Sequence, residues 1–149
     1  MDFHHMKDEF EIHKLAEQYA DAANRVDVAL FRSLWTADAE WIIGPPISRQ
    51  FVGLDNVVAA FEHLLGSWDF FVQLSTSAHI TVHGPTATAN FYVNEIARGW
   101  PDGTNSNFNL ARYTDALVKV DDRWRFQKRD YRVLYLDQTP LTGTAFRAE

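Results

Sequence analysis

Two side chains in this sequence have both the chemistry and the setting to polarise a bound molecule. Tyr19 falls centrally on an apolar stripe near the start of the chain. A buried phenol must find a partner: facing inward it can donate to a ligand carbonyl or oxyanion, and otherwise it is a core aromatic bonded to backbone. Arg129 belongs to a basic run, Arg123, Arg125, Lys128, Arg129 and Arg132, most of which reads as a solvated sheet face or a subunit surface. Strand alternation places Gln127, Arg129, Tyr131, Val133 and Tyr135 on one side, setting a guanidinium among tyrosines, either in a pocket or stacked at the surface. Trp35, Trp41 and Tyr131 are aromatic candidates for a pocket wall. Asn90, Asn94, Asn107 and Asn109 fall on strand-like segments that asparagine disfavours. Asn94 and Asn109 are the candidates for amides facing a cavity, with hairpin-end solvation the simpler account of Asn107. Among the histidines, His13 and His63 lie off the apolar stripes, His83 abuts a turn, and His4 and His5 sit in a polar terminus expected to fray. No two histidines show ligand spacing with a carboxylate, so neither a metal nor a cofactor is expected.

These residues need a scaffold, and composition bounds it. The chain has 149 residues, 46% hydrophobic and 23% charged, which describes one domain, 1–149, with an ordered core at about 9–143. A chain this long buries enough surface to hold a core without staples. It contains no cysteine, which removes thiol nucleophiles, cysteine–zinc sites and disulfides, and suits the cytoplasm. The formal charge of −6 argues against nucleic acid or anionic membrane as the main partner. No apolar run reaches the roughly 20 residues of a spanning helix, and Met1–Phe10 is too polar for a signal peptide. Aromatics make up 14%, with five Trp and eleven Phe. That is rich for a core alone and suits a small-molecule pocket, although a merely aromatic core is the competing reading.

The periodicity changes along the chain. Ile12, Leu15, Ala16, Tyr19, Ala22, Ala23 and Val26 recur at helical steps. Asp27 reads as the N-cap of a second helix, Val28–Trp35. Glu40–Ile43 is a short strand ended by Gly44-Pro45-Pro46, and a third helix follows Gly53, with Gly66 as its C-cap. Beyond Phe70 the period becomes two, with strands near 71–83, 86–98, 108–120 and 123–136. His83-Gly84-Pro85, Pro101-Asp102-Gly103 and Asp121-Asp122 separate them as turns. Helices followed by hairpin-linked strands predict an α+β fold: a cone-shaped, curved antiparallel sheet capped by three N-terminal helices, with room for a ligand cavity.

The segment Trp35-Thr36-Ala37-Asp38-Ala39-Glu40-Trp41, the Phe51-Val52-Gly53 helix entry, the strand running into a V-x-G-x-x-A-T-A turn, and the close Trp124–Arg129 through Pro140–Gly143 share one order and spacing. In that order the chain resembles the SnoaL-like branch of the nuclear-transport-factor-two-like superfamily from about Glu9 to Gly143. That branch includes polyketide cyclases, scytalone and bile acid dehydratases, a dehydrochlorinase, ketosteroid isomerase and small subunits of ring-hydroxylating dioxygenases. The resemblance implies a cone-shaped, cystatin-like roll with a hydrophobic cavity, and a dimer or trimer. Dehydratase-like members carry a Tyr and, five residues later, an Asp on the first helix, which fall here on Tyr19 and Asn24. Their His opens an H-x-x-x-N stretch, which falls on Gln73 and Ser77, and an Arg on the last strand matches Arg129. Tyr19 and Arg129 are thus retained, whereas the Asp–His pair is replaced by amides that do not titrate. The isomerase general base would fall near Ile43, which cannot accept a proton. His79, six residues after Gln73, shares its face on a regular strand and is the substitute base, or else lies outside the cavity.

The leading expectation is a cofactor-free lyase or isomerase acting on a small hydrophobic, ring-containing molecule such as a steroid, polyketide or aromatic. Tyr19, Arg129 and His79 would be its catalytic groups. Asn24, Trp35, Trp41, Gln73, Ser77, Asn94, Asn109 and Tyr131 would contact substrate. A non-catalytic binding module that lost the dyad is the alternative, and an oxygenase small subunit is the third. The expected partner is a second copy of the chain, since the sheet's outer face must be covered or polar and the Trp68–Phe70–Phe71 stretch and the long last strand offer apolar or edge surface.

Overall fold

Asp2 opens the first helix by accepting the His5 amide at 2.7 Å, and α1 then runs over Phe3–Arg25. The segment holding His4 and His5, expected to fray, is therefore helical, aided by i,i+4 pairs such as His5–Glu9 at 3.1 Å. The buried face of α1 is the stripe Ile12, Leu15, Ala16, Tyr19, Ala22 and Ala23. Val26 ends the helix in the left-handed region with φ 53, where its amide reaches the Ala22 and Ala23 carbonyls. Asp27 caps α2 (Val28–Ser33) through the Leu30 amide. That helix stops before Trp35, which instead begins β1 (Trp35–Ile43). A short strand, β2 (Arg49–Val52), pairs back on β1 and then leads through Gly53 into α3 (Leu54–Gly66). Gly66 is the last residue of α3, and Ser67 caps it at φ −85 without a left-handed turn. The computed structural model describes residues 2–99 and 106–146. The turn at Pro101-Asp102-Gly103 lies outside them.

Four long strands complete the fold: β3 (Trp68–His83), β4 (Thr86–Gly99), β5 (Ser106–Val120) and β6 (Arg123–Asp137). They form one six-stranded sheet in the order β2-β1-β6-β5-β4-β3. Every pair is antiparallel except β1 with β6, which run parallel, so the sheet is mixed. The β5–β6 turn uses Asp121 and Asp122 at φ 50 and 62, the twist that tight hairpins favour. α1 packs against β3 and β6, although β5 and β4 lie between those strands in the sheet. The sheet is therefore concave toward the helix, and its middle strands are held away from α1.

Bulges decide which side chains enter that concavity. On β3 the ladder slips between Thr76 and His79, with Ser77 at φ 55. Gln73 faces inward before the slip; after it the residues packed on the core are Ala78, Ile80 and Val82. On β6 the ladder slips near Gln127 and again near Leu134. Trp124 and Phe126 are inward below the first slip, Arg129, Tyr131 and Val133 between the two, and Tyr135 is 55% exposed beyond the second.

Candidate functional site

Apolar side chains of α1, α3 and the sheet line a half-open cavity of about 110 Å³ in the concavity. Ala23 of α1, Phe61, Leu64 and Leu65 of α3, Trp41 and Ile43 of β1, and Phe71 of β3 form its greasy wall. Tyr19, Gln73, Glu95, Asn109, Tyr113 and Tyr131 supply its polar groups. The volume is near that of an engineered dry cavity, about 150 Å³, that admits benzene.

Tyr19 is fully buried, with its hydroxyl 3.1 Å from the Tyr113 hydroxyl. Two phenols own two protons, and their mutual bond uses one, so the pair keeps one O–H for a ligand. Burial pushes the Tyr19 phenol up to about 12, against the pull of the Arg129 guanidinium, so it is a proton-bearing donor at neutral pH.

Arg129 does not line the cavity. It is 1% exposed, and its Nε and Nη2 donate to the two Asp115 carboxylate oxygens at 2.8 and 3.0 Å. The guanidinium carbon lies 3.6 Å from the Tyr113 ring centre, 4.1 Å from Phe126 and 4.3 Å from Tyr19. This cation is spent on a buried fork and three rings, behind the wall that carries Tyr19 and Tyr113.

The other candidates divide sharply. Gln73, Asn109, Tyr131 and Trp41 line the cavity. Trp35 is buried deep in the aromatic core, against Tyr19, Phe31 and Phe126. Asn24 spends its amide on the Gln73 backbone, donating to the carbonyl at 3.0 Å and accepting from the N–H at 2.7 Å, which clamps α1 to β3. Ser77 is exposed at the β3 bulge, and Asn94 points out of the sheet. His79 is exposed as well, because the bulge reverses the alternation that would have placed it beside Gln73. Asn107 also lines the cavity, where hairpin-end solvation was the simpler reading.

Two buried acids, Glu95 and Asp115, were missed. Glu95, the register partner of Gln73 across β3 and β4, puts its carboxylate at the cavity wall. It accepts from Gln73 Nε2 at 2.9 Å and Asn109 Nδ2 at 3.3 Å, and the Tyr131 hydroxyl donates to it too. Burial pushes this carboxyl above its ordinary value, although all three bonds oppose the rise. Burial and the charge of Glu95 likewise push the Tyr131 phenol up. Asp115 went unnoticed for the same reason: each is a lone acid within an inward-facing apolar register. Among the described residues, no group of three or more His, Asp or Glu side chains is placed to hold a metal ion. Nor is any described helix long and apolar enough to cross a membrane.

The SnoaL-like domain matches residues 4–130, and the chain belongs to that family, within the nuclear-transport-factor-two-like group. No curated protein matches the chain. Among solved structures it is similar to the hexachlorocyclohexane dehydrochlorinase LinA-type3 of Novosphingobium barchaimii LL02, at 21% identity and TM-score 0.83, over 100% of both chains. It is also similar to a candidate scytalone dehydratase of Novosphingobium aromaticivorans DSM 12444, at 18% identity and TM-score 0.82, over 95% of this chain and 97% of that one. A protein of unknown function with a cystatin-like fold from Nostoc punctiforme PCC 73102 matches at 19% identity and TM-score 0.71, over 85% of this chain and 90% of that one. At these identities the likeness establishes the fold.

Proposed function

We propose that this protein takes a small, hydrophobic, ring-containing molecule into the cavity and acts on it as a lyase or isomerase of the dehydratase or cyclase kind, without a cofactor. The observation that carries this reading is the cavity itself. It is a largely apolar, half-open pocket whose few polar groups converge from α1, β3, β4, β5 and β6 and include a phenol pair with a proton to give. Its volume suits one or two fused rings better than a steroid or a long polyketide. Dehydrochlorinase and dehydratase relatives point to elimination as the reaction class. In this reading Tyr19, backed by Tyr113, donates to a carbonyl or departing group, and Arg129 holds both rings in place. Indole binding tests it. NMR shifts should appear at Tyr19, Phe61 and Leu64 in the native protein and vanish in Leu64→Trp, which fills the space. Shifts that persist unchanged in that variant would remove the cavity as the binding site.

A non-catalytic binding module is the second reading, favoured by one observation: Asn24 is held in clamping the Gln73 backbone, and its amide does not titrate. Activity that emerges only in the combined Asn24→Asp, Gln73→His variant would support this reading as decay from an enzyme. We further propose a homodimer or homotrimer. Leu74, Tyr92, Leu110 and Tyr135 are all exposed on neighbouring strands of the sheet's outer face, an apolar area of the kind that subunits cover. Sedimentation of Leu110→Glu against the native chain checks it, with a single shared monomer mass as the opposing result.

A further inference from the structure

We propose that Glu95 is the catalytic base of this cavity, taking a carbon-bound proton from a neutral ring compound whose departing or carbonyl atom is held by the phenol pair. The inference rests on the cavity being a substrate site, and it supplies the proton-moving group that Asn24 and Gln73 cannot provide.

The geometry is that of a held, desolvated carboxylate. Gln73 Nε2, Asn109 Nδ2 and the Tyr131 hydroxyl all donate to it, which fixes the plane of the group. An ionised carboxylate offers about four acceptor positions, so three donors leave one lone pair for the cavity that Glu95 lines. The donors come from β3, β5 and β6, three separate strands, so the carboxylate is positioned by the sheet and not by a loop. Among the described residues no cation is paired with it: the buried guanidinium of Arg129 is committed to Asp115. Burial then favours the protonated acid and makes the ionised form a stronger base than a solvated carboxylate. Beside Glu95, the charges that act on the Tyr19 phenol are those of Asp115 and Arg129, which cancel as a pair, and the phenols of Tyr19, Tyr113 and Tyr131 are neutral at working pH.

The same wall reads the substrate. Trp41 Nε1 is buried, lines the cavity region and makes no hydrogen bond among the described residues; it can meet an acceptor atom on the ring. Asn109 Oδ1 is likewise without a partner among them. A ligand carrying negative charge would meet Glu95 with no cation to offset it, so the substrate class is neutral. In the step itself the proton passes from ring carbon to a Glu95 oxygen. The C–H electron pair either forms a double bond as a leaving group departs with its own pair, or enters a carbonyl as an enolate that is reprotonated elsewhere on the ring. No other reactant is required.

The probe is 1,2-benzisoxazole, an uncharged bicycle of indole size. Loss of its ring proton to a base breaks the N–O bond and gives the absorbing 2-cyanophenolate. Binding is followed separately by NMR, with Leu64→Trp as the filled-cavity control. We expect the native protein to bind and open this ring, its rate rising with pH to a plateau, and Glu95→Gln to bind it while losing about 100-fold or more in rate together with the pH dependence. Glu95→Asp, with its carboxylate drawn back, should retain part of the rate. Equal rates in native protein and a normally melting Glu95→Gln, or binding without turnover in the native protein, would overturn the base and leave the cavity reading standing. Absence of binding in the native protein would overturn both.

Discussion

If Arg129 is a structural cation and not a catalytic one, removing either half of its pair should unfold the protein by different amounts. Asp115→Asn leaves a guanidinium that cannot shed its proton inside a wall of rings. Breaking a buried pair in this way costs about 3–5 kcal/mol. For a chain of this size that is on the order of 10 °C in melting temperature. Arg129→Met instead strands a carboxyl that can neutralise, and burial already pushes the Asp115 carboxyl up. Its cost should therefore depend on pH. With the folded pKa above the unfolded one, stability is retained in acid and lost as pH rises through the folded value. The combined Asp115→Leu, Arg129→Met variant removes both charges and should recover most of the loss. Urea unfolding, followed by tryptophan fluorescence at pH 5 and pH 8, measures all three. A loss under about 1 kcal/mol for Asp115→Asn, the level of an exposed pair, would refute the reasoning.

Two further outcomes follow from the clamp and the carboxylate. Asn24→Ala should cost about 1–3 kcal/mol, since the Gln73 N–H and C=O lose their partner together, and Asn24→Asp should remain destabilised because a carboxylate cannot donate to that carbonyl; thermal melts compare them. Glu95→Gln should raise the melting temperature more at pH 8 than at pH 5, because a carboxyl held up by burial weakens the fold as it ionises, by about 1.4 kcal/mol for each unit of upward displacement; an equal effect at both values would oppose it.

Much of the scaffold could be read from pattern. The α1 stripe from Ile12 to Ala23 is buried as its spacing implied, and Asp27 caps the second helix. The long strands fall close to the alternating segments, since alternation and burial are the same physical fact. What alternation cannot carry is an inserted residue. Ser77, Gln127 and Leu134 each sit at a slip, and His79 and Tyr135 were assigned to faces they do not occupy. β2 was missed because its four residues are mostly exposed and carry no apolar period. The parallel pairing of β1 with β6 depends on contacts far apart in sequence and has no local mark. Glu95 had a usable signal: it shares the parity of Phe91, Val93 and Ala97, all buried, and a charge in that register marks either a buried pair or a site. Asp115, between Tyr113 and Leu117, carries the same mark and turned out to be the pair.

The protonation state of Glu95 in the empty cavity bears most directly on whether this wall can move a proton. Difference infrared spectra of native protein and Glu95→Gln across pH isolate its carboxylic acid band. That band should persist above the ordinary glutamate value of about 4.3 and fade as the ring-opening rate climbs. Full ionisation near the ordinary value, with the rate unchanged across the same range, would contradict the assignment.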